Sequence, residues 1–295
     1  MSTSQVWQAH FKFPEVRFDA KTGLDVSGCR LTLAPVDAHS SEGSLLFTMQ
    51  ADTIDAERAK ATAQEWIYRN LVDPCLVFHG INLRPEVSTP ILANESELKT
   101  LPRTFHEAMG IGVCLCLPLA TTEVEKPLAL RKKLDLHPQK RSLERSLRWF
   151  RKANDSDDDV DMFVTLWVAF NSFYSMFAEK KGDKTAMKTL LNSHPGAERI
   201  KEIIATHRTG IEALASKKLT DWHETTDYSE QLRASLGGQD VRSTLQKVGL
   251  CLWVVRNEVF HGGTTPNQDL GFLRECSGLL KRIYRECFCS YLDLR

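Results

Sequence analysis

The sequence has no excess of charge of either sign. Its 295 residues contain 38 Lys and Arg against 38 Asp and Glu, which gives a formal net charge of zero. A chain without net charge has no global attraction to nucleic acid or to a membrane surface. Any polyanionic partner would therefore have to be held by a local basic patch.

The sequence also lacks a secretion signal and a long apolar run. The first residues, MSTSQVWQAHFKF, have no basic start followed by an apolar stretch, as a signal peptide would. No stretch approaches the roughly 18 uninterrupted apolar residues that a membrane-spanning helix needs. We therefore expect a cytoplasmic protein without a membrane partner. Hydrophobic residues make up 42% of the chain, which is enough for a sizeable core.

Two kinds of cofactor motif are missing. Residues 1–130 contain no glycine-rich phosphate loop, and the cysteines of the chain do not have the spacing of a zinc site. The pairs CLC at 114–116 and CFC at 287–289 have one intervening residue instead of two, without a Cys/His knuckle. We expect no metal, no cofactor, and reduced structural thiols throughout. The eight cysteines are Cys29, Cys75, Cys114, Cys116, Cys251, Cys276, Cys287 and Cys289.

Residues 1–130 have the pattern of a mixed α+β domain. Short runs of β-type residues lie between Gly and Pro positions. The predicted strands are CRLTLAP, SLLFTMQA, GINLRPEV and GIGVCLCLPL. One helix is predicted at 55–71, with Asp55 as its N-cap and Pro74 just beyond its end. This half contains no catalytic constellation, so we expect it to sense a trigger or to select a substrate.

Residues 137–295 have helical periodicity and almost no strand signals, which predicts an all-α bundle. The predicted helices are 137–152, 162–177, shorter ones within 183–235, 239–261 and 267–292. The aspartates of NDSDDDVD, 154–161, fit a helix N-terminus better than a calcium loop, because the glycine and closing glutamate of that loop are absent. A linker is predicted at 121–136, between the two domains.

The helix at 239–261 has an apolar stripe with polar groups beside it. The stripe consists of Val241, Leu245, Val248, Leu252, Val255 and Val259, at spacings of four and three. Arg256, Asn257 and His261 fall off this stripe. They lie within a second apolar face, which consists of Leu250, Trp253, Val254 and Phe260. A helix that is apolar on two sides is either deeply buried or packed against a second chain. Buried Arg and His need partners, which a cleft that admits a charged ligand would provide.

These three polar residues suit the cleavage of a phosphodiester. An arginine offers a fork of donors to a phosphate and stabilises charge that develops on it. A histidine can move protons to or from a ribose 2′-hydroxyl or a leaving oxygen near neutral pH, and an asparagine can orient either group. No metal is required if the 2′-hydroxyl is the nucleophile.

The stretch RNEVFH, 256–261, resembles the R-x-x-x-x-H motif of the HEPN superfamily, in which the residue after the arginine is often polar. In that family the motif closes a late helix of an all-α domain. LWVAFNSFYS, 166–175, is similar to the family's earlier aromatic-rich helix, and Asn171 stands where a polar residue, in many members an acid, faces the active site. The resemblance covers 137–295 and does not extend to 1–130.

The resemblance implies a metal-independent endoribonuclease, which dimerises so that two copies of the motif flank one RNA cleft. His261 would be the acid–base catalyst, Arg256 would bind the scissile phosphate and Asn257 would position it. Asn171 would support them, and the products would end in a 2′,3′-cyclic phosphate. Such proteins are often prokaryotic toxins or anti-phage effectors that cut tRNA or other cellular RNA. An inhibitor or trigger protein is then a further expected partner.

Other interpretations stay open. The helical half could be a catalytically idle HEPN module for dimerisation or nucleotide binding within a larger complex, although the intact Arg–Asn–His set favours the ribonuclease. The same three residues could form a polar network that joins the last two helices. The α+β half could itself be the enzyme. The basic residues of the first predicted bundle helix fit a solvated face, or alternatively a track for RNA phosphates. They are Lys140, Arg141, Arg145, Arg148, Arg151 and Lys152.

Overall fold

The computed structural model of the chain divides into two compact units, Met1–Lys132 and Lys133–Arg295. This division falls between the two predicted domains. The structure describes residues 4–14, 16–18, 22–26, 29–37, 40–50, 55–93, 117–119, 130–178, 182–221, 226–261 and 269–294. The first unit combines a sheet with helices and the second is helical, which confirms the coarse fold class of an α+β part followed by a helical part.

The first unit is built on an antiparallel sheet. Its described strands are β1 Ser4–Phe13, β2 Val16–Phe18, β3 Thr22–Val26, β4 Cys29–Pro35, β5 Ser41–Gln50, β6 Glu86–Val87, β7 Ile91–Leu92 and β8 Leu117–Leu119. The sheet has the order β3–β4–β5–β1–β6, and β7 also pairs with β1. Strands β2 and β8 pair with each other in parallel.

One face of this sheet is buried. In β1, Trp7, Ala9, Phe11 and Phe13 are buried at alternating positions, as in a strand with one face on the core. They share a core with the buried face of helix α1, Ala56–Ile67. Strand β1 is absent from the predicted strands, although this alternation is present in the sequence.

The predicted strands agree with the structure in part. CRLTLAP coincides with β4, and SLLFTMQA overlaps β5. The prediction for GINLRPEV is wrong over most of its length, since only Glu86–Val87 is a strand. Pro85 has no N–H to donate to a neighbouring strand, and pairing with β1 begins only after it. GIGVCLCLPL lies outside the described residues, except for the last three, which form β8.

The predicted helix at 55–71 begins as expected and ends later. Asp55 caps α1, because its Oδ1 accepts a hydrogen bond of 2.7 Å from a backbone N–H of the first turn. The chain continues through a π-helical turn, Tyr68–Val72, into α2, Asp73–His79. The prediction that Pro74 lies beyond the helix is therefore wrong. A proline clashes with the carbonyl four residues earlier in a regular helix, and the wider turn before Pro74 relieves that clash.

The second unit is a helical bundle, as predicted. The division between the units falls within helix α3, which is described over 130–136. The other helices of the second unit are α4 Lys140–Asn154, α5 Asp159–Tyr174, α6 Asp183–Ser193, α7 Ala197–Thr206, α8 Arg208–Ser216, α9 Tyr228–Ser235, α10 Val241–His261 and α11 Leu270–Tyr291. The linker prediction is wrong for 130–136, because Leu130 and Leu134 are buried four residues apart and stabilise a helix there. Residues 121–129 lie outside the described part.

The acidic stretch before α5 is a helix N-terminus. Oδ1 of Asp158 accepts hydrogen bonds from the backbone N–H groups of Val160 and Asp161, at 2.9 and 2.8 Å. Asp159 and Asp161 lie in the first turn, where their charge complements the helix dipole. Within the described ranges, no group of three or more His, Cys, Asp or Glu is placed to hold a metal ion.

The described cysteines are free thiols, and all except Cys29 are buried. Burial raises the pKa of Cys251, Cys276 and Cys287, which keeps these thiols protonated. They therefore pack as small apolar core residues, as expected. The CLC pair at 114–116 lies outside the described residues.

One described helical segment, Asp159–Phe177, is long and apolar enough to cross a membrane by length and composition alone. Most of it is α5, whose Phe163, Leu166, Phe170 and Phe173 are buried in the helical unit. Helices α4, α6, α10 and α11 contact it. A core helix passes the same test, so the segment is weak evidence for a membrane span.

Candidate functional site

The predicted apolar stripe of α10 faces the core of the helical unit. Its four central residues are buried and its two end residues are half-buried. The buried ones are Leu245, Val248, Leu252 and Val255. Helix α10 contacts α5, α6, α7, α8 and α9, which makes it the central helix of the unit. The position of the stripe is therefore as predicted.

Most of the second apolar face of α10 is also buried within the chain. Leu250 and Val254 are 4% and 0% exposed, and Trp253 lies under the Lys184 ammonium, 4.7 Å from the ring centroid. Only Phe260 emerges, at 46% exposed. Burial by neighbouring helices accounts for Leu250 and Val254 without a second chain, so this face gives less support to a dimer than the sequence indicated.

Arg256 lies at the half-buried end of this face and is held by its own helix. Its Nη1 donates a hydrogen bond of 2.8 Å to Oδ1 of Asn257. Its guanidinium carbon lies 4.5 Å from the centroid of the Phe260 ring, a cation–π contact. Its Nε–H is buried without a hydrogen-bond partner. Among the described residues no carboxylate pairs with Arg256.

Arg256 borders a cavity of about 230 Å³ in the helical unit. The cavity lies where α4, α5 and α10 meet. The described residues that line it are Ser142, Arg145, Trp167, Val168, Asn171, Ser172, Ser175, Arg256 and Phe260. Two of these side chains are cationic and none is acidic. Serine hydroxyls and the Asn171 amide supply further hydrogen-bond groups, so this lining suits an anion with several acceptor oxygens.

Asn171 is half-buried on α5 and shares this cavity with Arg256. Its side-chain amide makes no hydrogen bond with the described residues. An asparagine that served only to satisfy core groups would be bonded to them. Asn171 and Arg256, which are 85 positions apart in the sequence, therefore meet at one cavity. The Asn171 amide stays accessible to a ligand.

Helix α4 brings Arg145 to the same cavity. The next residue, Ser146, fixes α4 against its neighbours, because its Oγ donates to the Ala169 carbonyl of α5 at 2.8 Å. The same hydroxyl lies 2.7 Å from the hydroxyl of Tyr284 in α11. Both hydrogen bonds are buried, so they set the position of α4 along α5. Arg145 is exposed and carries the second positive charge of the cavity.

The charge of Arg256 also reaches the aromatic core of α5. Burial raises the pKa of Tyr174, Asp183 adds to this effect, and Arg256 opposes it. The Tyr174 hydroxyl and the indole N–H of Trp167 are both buried without a hydrogen-bond partner. The indole of Trp167 lowers the pKa of the Tyr174 hydroxyl, although the two groups are not placed to form a hydrogen bond.

His261 is the last residue of α10. Its side chain lies outside the described residues, as do Gly262 and Gly263. The backbone places it one residue after Phe260 and five after Arg256, at the end of the helix that borders the cavity. Asn257 contacts Arg256 directly and is not among the lining residues.

No known protein family matches this chain. No curated protein and no solved structure matches it either. What the site can do therefore has to be argued from its own residues. Two guanidinium groups, an unbonded amide and three serines around a small cavity can bind a phosphoryl group and stabilise negative charge that develops on it.

Several members of this site were not predicted as such, among them Arg145 and Phe260. From the sequence, Arg145 was only one of six cations in a basic run, and Phe260 was only one residue of an apolar face. The assignment of Arg145 depends on the packing of α4 against α5, which joins residues distant in sequence. For Phe260 a local signal existed, since it lies four residues after Arg256, the spacing at which helical side chains meet.

Proposed function

We propose that the helical unit is a metal-independent endoribonuclease of the HEPN type. The observation that carries this proposal is the meeting of Arg256 and Asn171 in one cavity whose described lining has no acidic side chain. A half-buried guanidinium without a carboxylate is costly unless an anion completes its environment. The phosphate of RNA fits the planar fork of an arginine.

In the proposed reaction Arg256 contacts the non-bridging oxygens of the scissile phosphate. His261 takes the proton of the ribose 2′-hydroxyl, whose oxygen attacks phosphorus while the bond to the 5′ oxygen breaks. The leaving oxygen takes a proton from an imidazolium, of the same chain or of its counterpart in a dimer. The products are a 2′,3′-cyclic phosphate and a 5′-hydroxyl. Asn257 holds the guanidinium, and Asn171 hydrogen-bonds the phosphate.

The biological setting follows from the HEPN resemblance. We expect a cytoplasmic toxin or anti-phage effector that cuts tRNA or other cellular RNA. It would act as a homodimer through the helical unit, and an inhibitor or a trigger protein would control it. The exposed ring of Phe260 beside the cavity supports a partner surface at this end of α10. The first unit would sense the trigger or select the substrate.

A catalytically idle module that binds a nucleotide is the alternative. The size of the cavity speaks against it, since sites for whole small-molecule ligands usually have volumes of about 300–1,000 Å³. At about 230 Å³, this cavity better fits a phosphate with part of its sugar, while the rest of a longer chain stays outside.

The test is cleavage of total RNA by the purified chain, with and without EDTA, beside His261→Ala and Arg256→Ala variants. Expression of the same proteins in bacteria, followed by growth and RNA gels, provides the cellular counterpart. We expect cleavage by the wild type that EDTA does not affect, cyclic phosphate ends, and no cleavage by either variant. Equal cleavage by wild type and His261→Ala would show that the catalytic assignment is wrong. Binding of a mononucleotide without any cleavage would favour the alternative.

A further inference from the structure

Helix α4 carries a row of cations that begins one turn before the cavity and continues past it. Arg141, Arg145, Arg148 and Lys152 are all exposed. At about 100° per residue they fall within roughly 60° of the helix circumference, and at about 1.5 Å per residue they extend over roughly 16 Å. The opposite face of α4 is buried in the core. The row is therefore a narrow stripe and not a general basic surface.

These four cations have no counter-charge in the described part of the chain. Lys152 lies 5.1 Å from the ring centroid of Trp149, and none of the four pairs with a described carboxylate. Their neighbour Lys140 differs, because its Nζ lies 2.5 Å from Oδ1 of Asp135. Glu144, the acidic residue of α4, is half-buried and already engaged in another interaction. The row therefore offers its charge to a partner.

Arg145 connects this row to the cavity, since it belongs to the row and lines the cavity with Arg256. We propose that Arg141, Arg145, Arg148 and Lys152 form a phosphate-binding track, which holds one strand of RNA on its way to Arg256. The RNA partner is taken from the proposed ribonuclease function, on which this inference rests. A chain with zero net charge needs such a local patch to hold a polyanion.

The shape of the site specifies the kind of RNA. Successive cations of the row lie about 4.5–6 Å apart along one line, which suits a single backbone and not the two backbones of a duplex. The ring of Phe260, 46% exposed beside the cavity, provides a surface on which an unpaired base can stack. The track therefore selects single-stranded or looped RNA.

Binding can be measured on the full chain with His261→Ala, so that the RNA stays intact, and a labelled single-stranded RNA of about 20 nucleotides. The track variant is Arg148→Gln with Lys152→Gln. The matched control, Lys188→Gln with Lys218→Gln, removes two exposed cations elsewhere on the helical unit. Each lost phosphate contact should reduce the slope of log affinity against log salt by about 0.7.

We expect the slope of the track variant to be about 1.4 smaller than that of its parent. Between about 50 and 200 mM salt, the affinity of the parent should then fall by a factor about seven times larger than the factor for the variant. The control should keep the parental slope. Equal slopes for track variant and control would overturn the track. So would a loss of binding to anionic lipid vesicles with unchanged RNA binding, which would assign the row to a membrane surface.

Cleavage separates this inference from the function on which it rests. In the protein that retains His261, the track variant should lose a larger factor in kcat/KM on the long RNA than on a trinucleotide. The reason is that its KM for the long RNA is raised. If the wild type cleaves RNA and the track variant cleaves both substrates like the control, the track is wrong and the ribonuclease stands. If the predicted salt slopes appear and no RNA is cleaved, the ribonuclease is wrong and the RNA-binding surface stands.

Discussion

The replacement of Arg256 by glutamine tests whether this arginine binds a ligand or stabilises the fold. Arg256→Gln removes a hydrogen bond to Asn257 and a contact with the Phe260 ring. These losses cost about 1–1.5 kcal/mol and about 0.5–1 kcal/mol. The change also removes the buried Nε–H that has no partner, which returns about 1–3 kcal/mol. The free energy of unfolding should therefore change by no more than about 1.5 kcal/mol in either direction.

The same helix provides a matched control. Arg242 donates from Nη1 to the Leu191 carbonyl and from Nη2 to the Pro195 carbonyl, both at 2.9 Å. It lies at the other end of α10, far from the cavity. Arg242→Gln should lower the free energy of unfolding by about 2–3 kcal/mol, because it loses two charge-assisted hydrogen bonds to half-buried carbonyls.

The assay is urea unfolding followed by far-UV circular dichroism, together with RNA cleavage by each folded variant. Arg256→Gln should cleave about 100 to 1,000 times more slowly and unfold like the wild type. Arg242→Gln should be less stable and cleave at the wild-type rate. If Arg256→Gln lost as much stability as Arg242→Gln, the arginine would belong to a polar network that joins helices, and the argument for an anion site would fail.

Three further outcomes are expected. Asn171→Ala should lower kcat/KM about tenfold without loss of stability, since its amide is not bonded to the described protein; a clear drop in melting temperature would contradict this. Burial raises the pKa of Glu258, so the folded state binds the proton of this carboxyl group more tightly than the unfolded state does. The stability that the proton contributes is lost as the pH rises. Glu258→Gln should therefore be more stable than wild type near about pH 7 and equal to it near about pH 4, as urea titrations can show. Gly249→Ala should lower the unfolding free energy by about 1–2 kcal/mol in spite of the helix preference of alanine, because the new Cβ would lie 2.6 Å from Cδ1 of buried Leu191; a stabilised variant would refute this packing.

The sequence predicts the features of the helical unit that depend on neighbours in the chain. The apolar stripe of α10 repeats every three to four residues, so its spacing alone places Leu245, Val248 and Leu252 in the core, where they lie. The cap of α5 by Asp158 is equally local. Side chains three or four residues apart meet on the same helix, so their spacing in the sequence is enough to predict its buried face.

The rest depends on contacts between distant segments. Arg145 reaches the cavity because Ser146 bonds to α5 and α11, and no spacing within α4 contains that information. The π-helical turn before Pro74 is a backbone solution that residue propensities do not specify. The second apolar face of α10 illustrates the same limit, since a helical wheel cannot distinguish burial by neighbouring helices of the same chain from burial by another chain.

The contacts of Arg256 have a consequence for the energetics of binding. Its guanidinium group is fixed by the residues one and four positions later on the same helical turn, Asn257 and Phe260. The rotational freedom of this long side chain is therefore lost when the helix folds and not when a ligand arrives, so the entropic cost is absent from the affinity. An Asn257→Ala change should then act on association through a more mobile arginine, with a less favourable binding entropy and a nearly unchanged enthalpy.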